Sequence, residues 1–205
     1  MDMIILDPTL QARIIRDRRE RRGDRYDEVW DGVYVVAPVT DNEHAALVAS
    51  LTFAIGQAVP EPDLDTILMG ANISDQEDDW ERNYRCPDVV FFRYGSAAEE
   101  RDTHYFGGPD LAIEIVSQHD RSRRKFDFYA KVNTCELLIV DRFPWTLELY
   151  RLGAAKTLDL VGRSTVERPD VLASQVLPLS FRLVAGEKRP RIAVAHTDGV
   201  QSWLA

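Results

Sequence analysis

The chain has 205 residues, 45% of them hydrophobic and 29% charged, with a formal net charge of −9. These proportions are ordinary for a soluble globular protein with one substantial core, and no run of ~20 apolar residues is present to cross a bilayer. The negative balance argues mildly against tight non-specific nucleic-acid binding; it does not exclude a nuclease, because the charge is segregated along the chain.

The first six residues carry too short an apolar stretch, and no basic flank, for a secretory leader. The two cysteines, Cys86 and Cys135, read as buried small hydrophobes in a reducing, cytoplasmic setting. With scattered histidines they give no zinc-ligand spacing.

Asp7-Pro8 signals a helix start, followed by an apolar stripe of Leu10, Ile14 and Ile15. Residues 13–25 hold seven arginines against three acids, which reads as a solvated helix face or as a phosphate-contacting arm. Residues 1–25 thus form an N-terminal basic helix ahead of the main domain. Residues 26–32 and 33–39 read as two strands joined by the tight turn Asp31-Gly32, with Glu28 in the first. Asp41 or Asn42 caps a helix running to about residue 59, with Ala45, Val48, Leu51, Ile55 and Val59 on its core face and His44 in its first turn. Residues 60–63 read as a loop, residues 65–73 as one strand, and the acidic run 75–81 as an exposed loop without the oxygen spacing of a calcium site.

Residues 86–141 organise the rest. Residues 89–92 and 111–116 are apolar runs suited to strands buried on both faces, except for Glu114. Strand alternation puts Ala112, Glu114 and Val116 on one face, so Glu114 is a carboxylate in the middle of a buried strand. Such a charge is costly unless it is paired or binds a metal. Asp88 opens the neighbouring strand.

Residues 95–108 read as a loop with a short helical stretch near 97–101, and Asp110 as a strand-entry residue. Asp120 is the expected N-cap of a helix to residue 133, with Arg121, Lys125, Tyr129 and Val132 on one face and Lys125 placed to point back over the end of the Glu114 strand. Arg121, Arg123 and Arg124 add a basic rim. Strands follow at residues 136–141, 145–152, 158–161 and 179–183. The tail, residues 185–205, is left without a function, with packing on a neighbouring subunit as one option.

Two carboxylates and a lysine at the mouth of a sheet suit metal-assisted hydrolysis of a phosphodiester. The carboxylates would hold a hard cation, magnesium with manganese as an alternative, and the ammonium would position water or stabilise charge on the phosphate. The ordered set Pro87-Asp88, the GxPDL of residues 107–111, Glu114 to Ser117, Lys125 with Tyr129, and a closing hydrophobic strand resembles the PD-(D/E)XK restriction-endonuclease-like superfamily. More narrowly it resembles the Uma-type family of restriction-endonuclease-like proteins, over roughly residues 26–184. The usual lysine two residues after the acid is Val116 here, and Lys125 stands where that family carries it. Arg121 replaces an acid that the family tends to place one turn before the lysine, and Asn133-Thr134 replaces Gly-Val.

The resemblance implies an α/β domain: a restriction-endonuclease-like mixed central sheet flanked by helices, with an antiparallel extension. It implies a metal-dependent endonuclease, with DNA the expected substrate. Asp88 and Glu114 would be metal ligands and Lys125 catalytic, with Glu28 and His44 candidate members of the site. A homodimer is one compatible assembly. The alternative is a nucleic-acid-binding or protein-interaction module on the same fold, with little or no catalysis.

Overall fold

A computed structural model describes residues 3–59, 64–117 and 121–205. The long apolar runs build a six-stranded sheet in the order Leu158–Ser164, Trp145–Leu152, Glu136–Arg142, Leu111–Val116, Val89–Phe92, Thr66–Met69. Its one parallel pair sets Leu111–Val116 beside Glu136–Arg142, with Glu114 opposite Ile139. The other neighbours are antiparallel, and Val89 lies opposite Ile113. Both central strands are buried on both faces, as their composition requires.

The helix Asn42–Gly56 covers one face. Asp41 caps it, its carboxylate accepting from the His44 amide at 2.7 Å. Leu47, Leu51, Ala54 and Ile55 are its buried apolar residues and pack with Leu111, Ile113 and Ile115. The expected stripe holds at Leu51 and Ile55, which are core, and at Val48 and Val59, which pack on it; Ala45 is exposed, and Leu47 joins the core in its place. Burying one such leucine contributes about 1.5–3 kcal/mol.

The opposite face, that of Ala112 and Val116, lies under Phe128 and Tyr129. The predicted helix of residues 120–133 is a 3-10 turn, Ser122–Lys125, leading into a short α-helix, Phe126–Lys131. Its expected cap, Asp120, lies outside the described residues, as does the loop 60–63. The helix ends at Asn133 with φ +65°, the left-handed conformation that Asn tolerates best after Gly.

A second sheet of short strands carries Glu28–Trp30 and Val33–Val36, turned by Asp31 and Gly32, both at positive φ. The predicted strand 65–73 is two strands: Thr66–Met69 joins the central sheet and Ile73–Ser74 the second one. Gly70, at φ +67°, makes the break. The stretch near 97–101 is a strand, Glu99–Glu100, paired with Tyr105–Phe106, and not helical. The N-terminal helix, Pro8–Glu20, contains no buried residue; Ile14 and Ile15 pack partly against Ile5, Val29 and Tyr34.

Residues of the C-terminal tail form strands of a third sheet, Arg191–His196 and Ser202–Leu204 beside Leu179–Val184. Ile192 and Val194 are fully buried in this chain's own main core, while Val200 and Leu204 of the same tail are exposed.

The entry to the Glu114 strand is tight. Gly108 N donates to Val132 O at 2.6 Å. A Cβ on Gly108 would stand 2.5 Å from Thr134 Oγ1 and 2.6 Å from Thr134 N. Gly108→Ala should therefore cost about 1–3 kcal/mol, since rigid backbone and not a flexible side chain must yield. Urea unfolding would read this as a lower midpoint with an unchanged slope.

Candidate active site

Asp88 and Glu114 are the next residues beyond the Val89–Ile113 pair that ends the antiparallel ladder, and both line one cleft. Asp88 Oδ2 accepts from the Ile115 amide at 2.7 Å, which fixes the carboxylate against the Glu114 strand. Its Oδ1 lies 2.8 Å from His44 Nε2. The cap at Asp41 sets the first helical turn, and that turn delivers His44 to Asp88. His44 is buried and not a surface group, and its Nδ1 has no hydrogen-bond partner.

Lys125 reaches back from the 3-10 turn. Its Nζ donates to Glu28 Oε1 at 2.8 Å and to Glu114 Oε1 and Oε2 at 2.9 and 3.1 Å. The Tyr129 hydroxyl also donates to Glu114 Oε1, and Ser122 Oγ stands 3.5 Å from Oε2. Glu28 is held in turn by the Cys86 amide at 2.8 Å and by the Trp30 indole N–H at 2.6 Å. All five predicted residues, Glu28, His44, Asp88, Glu114 and Lys125, line one cleft of about 310 Å³. The sequence places Tyr129 in the motif with Lys125 without giving it a role, and does not single out Trp30 at all. For Tyr129 a signal existed, because it follows Lys125 by one helical turn. For Trp30 none did.

The electrostatics follow from burial. Glu114 is pushed up to about 8, by burial first and then by the nearby Asp88 and Glu28 carboxylates, with Lys125 opposing. Burial alone would lower Lys125, but Glu114 and Glu28 together hold it well above its ordinary value, so it stays charged. Burial and the same two acids keep Tyr129 a protonated donor. Burial and Glu28 push the Cys86 thiol far up, which removes it as a nucleophile.

The raised Glu114 value has a sign that stability measurements can read. Burial and the neighbouring acids raise the folded group above the 4.5 of the unfolded chain. Its contribution to stability is thus complete below pH 4.5 and is lost as pH rises through the raised folded value. The stability difference between parent and Glu114→Gln, measured in EDTA, should favour the parent more at pH 5 than at pH 9. A pH-independent difference would contradict the assignment.

Two carboxyl groups bond the one ammonium, and Asp88 stands near enough to Glu114 to raise it. Ionised together, Glu28, Asp88 and Glu114 leave an excess of negative charge on hard oxygen donors, which is what a magnesium-like cation requires. Asp88 spends only one acceptor site per oxygen on His44 and Ile115. Asp88 keeps free lone pairs of the kind such a cation takes, whereas both oxygens of Glu114 already accept from Lys125 and Tyr129. Among the described residues no three His, Cys or acidic side chains form a ready-made cage.

Other predicted groups lie outside the cleft. Asp110 pairs with Arg93 Nε at 2.7 Å and accepts from the Arg93 amide at 3.1 Å, a strand-entry role. Arg123 is tied to Asp141 and Glu148. In the N-terminal helix Arg18 is paired with Asp27 and Arg19 with Glu81, so part of the arginine run is spent within the chain.

A family model, Uma2, described as "Putative restriction endonuclease", matches residues 12–186. The chain belongs to the Uma2 family. Among solved structures it is similar to a crystal structure described as a putative nuclease belonging to DUF820 from Anabaena variabilis ATCC 29413. That likeness has a TM-score of 0.55 over 72% of this chain and 80% of the other, at 17% identity, and it speaks for the fold. No curated protein matches the sequence. In this Uma2 chain the acid expected one turn before the lysine is Arg121, and the carboxylate beside Lys125 comes instead from Glu28, 97 residues away.

Proposed function

We propose that this Uma2-family chain is a divalent-metal-dependent endonuclease, with DNA the expected substrate. The observation that carries this reading is the convergence of Asp88, Glu114 and Lys125 at the base of one cleft, with Lys125 bonded to both oxygens of Glu114. The family's description points the same way.

Asp88 and Glu114 would hold magnesium, and the bound cation supplies Lewis-acid polarisation of the phosphoryl group and a more acidic water. The chain's own residues do the rest. Ile115 N and His44 fix the Asp88 carboxylate, so its free lone pairs keep one direction. Tyr129 fixes Glu114. Lys125 holds positive charge next to the position where phosphate charge develops, in a site where water screens it poorly. Glu28 keeps the ammonium aimed there.

The test is cleavage of DNA of mixed sequence with magnesium or manganese, against an EDTA control. Strand scission that requires the metal and is lost in Asp88→Asn is expected. Salt-dependent binding without scission under every metal would favour the non-catalytic module, which the net charge of −9 and the full engagement of Glu114 by Lys125 and Tyr129 favour.

A further inference from the structure

The walls of the cleft differ from its floor. The floor is carboxylate and ammonium; the walls include Tyr26, Pro38, Val48 and Met69. Tyr26 is 43% exposed and Met69 46%. Two large apolar side chains of the lining are therefore left in water at the mouth of the cleft.

A paired duplex offers this mouth sugars and phosphates, since its bases are stacked inside. Phosphate contacts gain from cations and amides, not from apolar walls. An unpaired base, by contrast, offers a flat π-face of the kind that stacks on an aromatic side chain whatever its sequence.

Tyr26 is placed as such a platform. Its ring lies against the backbone at Gly70, where a Cβ would come within 2.4 Å of Tyr26 Cε1. That close seat fixes the ring before any ligand arrives. The Arg25 guanidinium lies over the ring, 5.4 Å from its centroid, so a base stacking on that face displaces it toward the strand's phosphate. Tyr26 also precedes Glu28 by two residues, so platform and floor belong to one segment. The acidic net charge gives little general attraction for a duplex, and stacking offsets this for a single strand.

Resting on the nuclease reading above, we propose that the cleft takes an unpaired nucleotide, with a base stacked on Tyr26 beside Met69 and the adjoining phosphate lowered toward Asp88, Glu114 and Lys125. The source is a single strand of DNA or RNA, or a nucleotide displaced from a duplex; all share the exposed base.

The experiment is fluorescence anisotropy with labelled oligonucleotides of one sequence, as single-stranded DNA, single-stranded RNA and duplex DNA, on the full chain in EDTA so that nothing is cut. Either single strand should bind tighter than the duplex. Tyr26→Ala should weaken single-strand binding roughly 5- to 100-fold and leave duplex binding unchanged. Tyr26→Phe, which keeps the ring, should bind like the parent, and Met69→Ala, on an exposed strand, should show a smaller loss. Equal or tighter duplex binding, with no effect of Tyr26→Ala on either strand, overturns the proposal. Metal-dependent scission of duplex DNA that ignores Tyr26 would overturn it while leaving the nuclease reading standing. Tyr26-dependent single-strand binding without scission under any metal would support it while the nuclease reading falls.

Discussion

Asp88→Asn and Glu114→Gln should each lower metal-dependent cleavage by more than about 100-fold, because even outer partners of a metal site cost 10–100-fold when lost. Each removes one hard oxygen donor's charge from a site that offers two. Neither should unfold the protein. Asparagine at 88 keeps a carbonyl for the Ile115 amide, and glutamine at 114 keeps an acceptor for Tyr129 and Lys125. A second readout needs no turnover. Magnesium that binds the folded chain and not the unfolded one raises the parent's melting temperature as its concentration passes the dissociation constant. The two variants should show little or no such rise. Parental cleavage in both variants would remove Asp88 and Glu114 from the chemistry.

Lys125→Ala should reduce the cleavage rate by ~10²-fold or more, the scale for one preorganised electrostatic group. It should also destabilise the metal-free protein. Lys125 is buried, and its ammonium is the cation bonded to both Glu28 and Glu114. Removing one partner of a buried pair costs about 3–5 kcal/mol, since the charge left behind has lost its compensation. The two losses can be separated. Magnesium should restore part of the stability, because a bound cation again neutralises the acids, yet the rate should stay low because the amine is gone. Metal affinity itself should fall little, as lysine is not a ligand. A Lys125→Ala protein with parental metal-dependent turnover would sink the assignment, whatever its stability.

How far the sequence could be read differs from residue to residue. Glu114 was legible from periodicity alone, because an acid inside an unbroken apolar strand has few structural explanations. Lys125 was not: nothing local distinguishes it from an exposed lysine, and only the order of motifs singled it out. Glu28 was less legible still. Its strand, Glu28–Trp30, is three residues long, too short for alternation to reveal a face. Its burial comes from Lys125 and Trp30 closing over it. His44 was obscured because a polar residue in a first helical turn carries no apolar periodicity of its own, and its neighbour Ala45 was placed on the core face although it is exposed. The break at Gly70 had a signal, a glycine within a strand pattern. The Glu99–Glu100 strand had none, since two glutamates pair there only because Tyr105–Phe106 lies alongside.

The 97-residue separation between Glu28 and Lys125 also bears on how the protein is made. Contacts so distant in sequence form only after the intervening loop entropy has been overcome, and domains emerge from synthesis N-terminus first. A nascent chain that ends before residue 125 carries Glu28, Asp88 and Glu114 but no ammonium to bring them together. The parallel partner of the Glu114 strand, Glu136–Arg142, is later still. The constellation therefore cannot close until residue 125 and the strand that follows it have been made, and a chain released before that point lacks it.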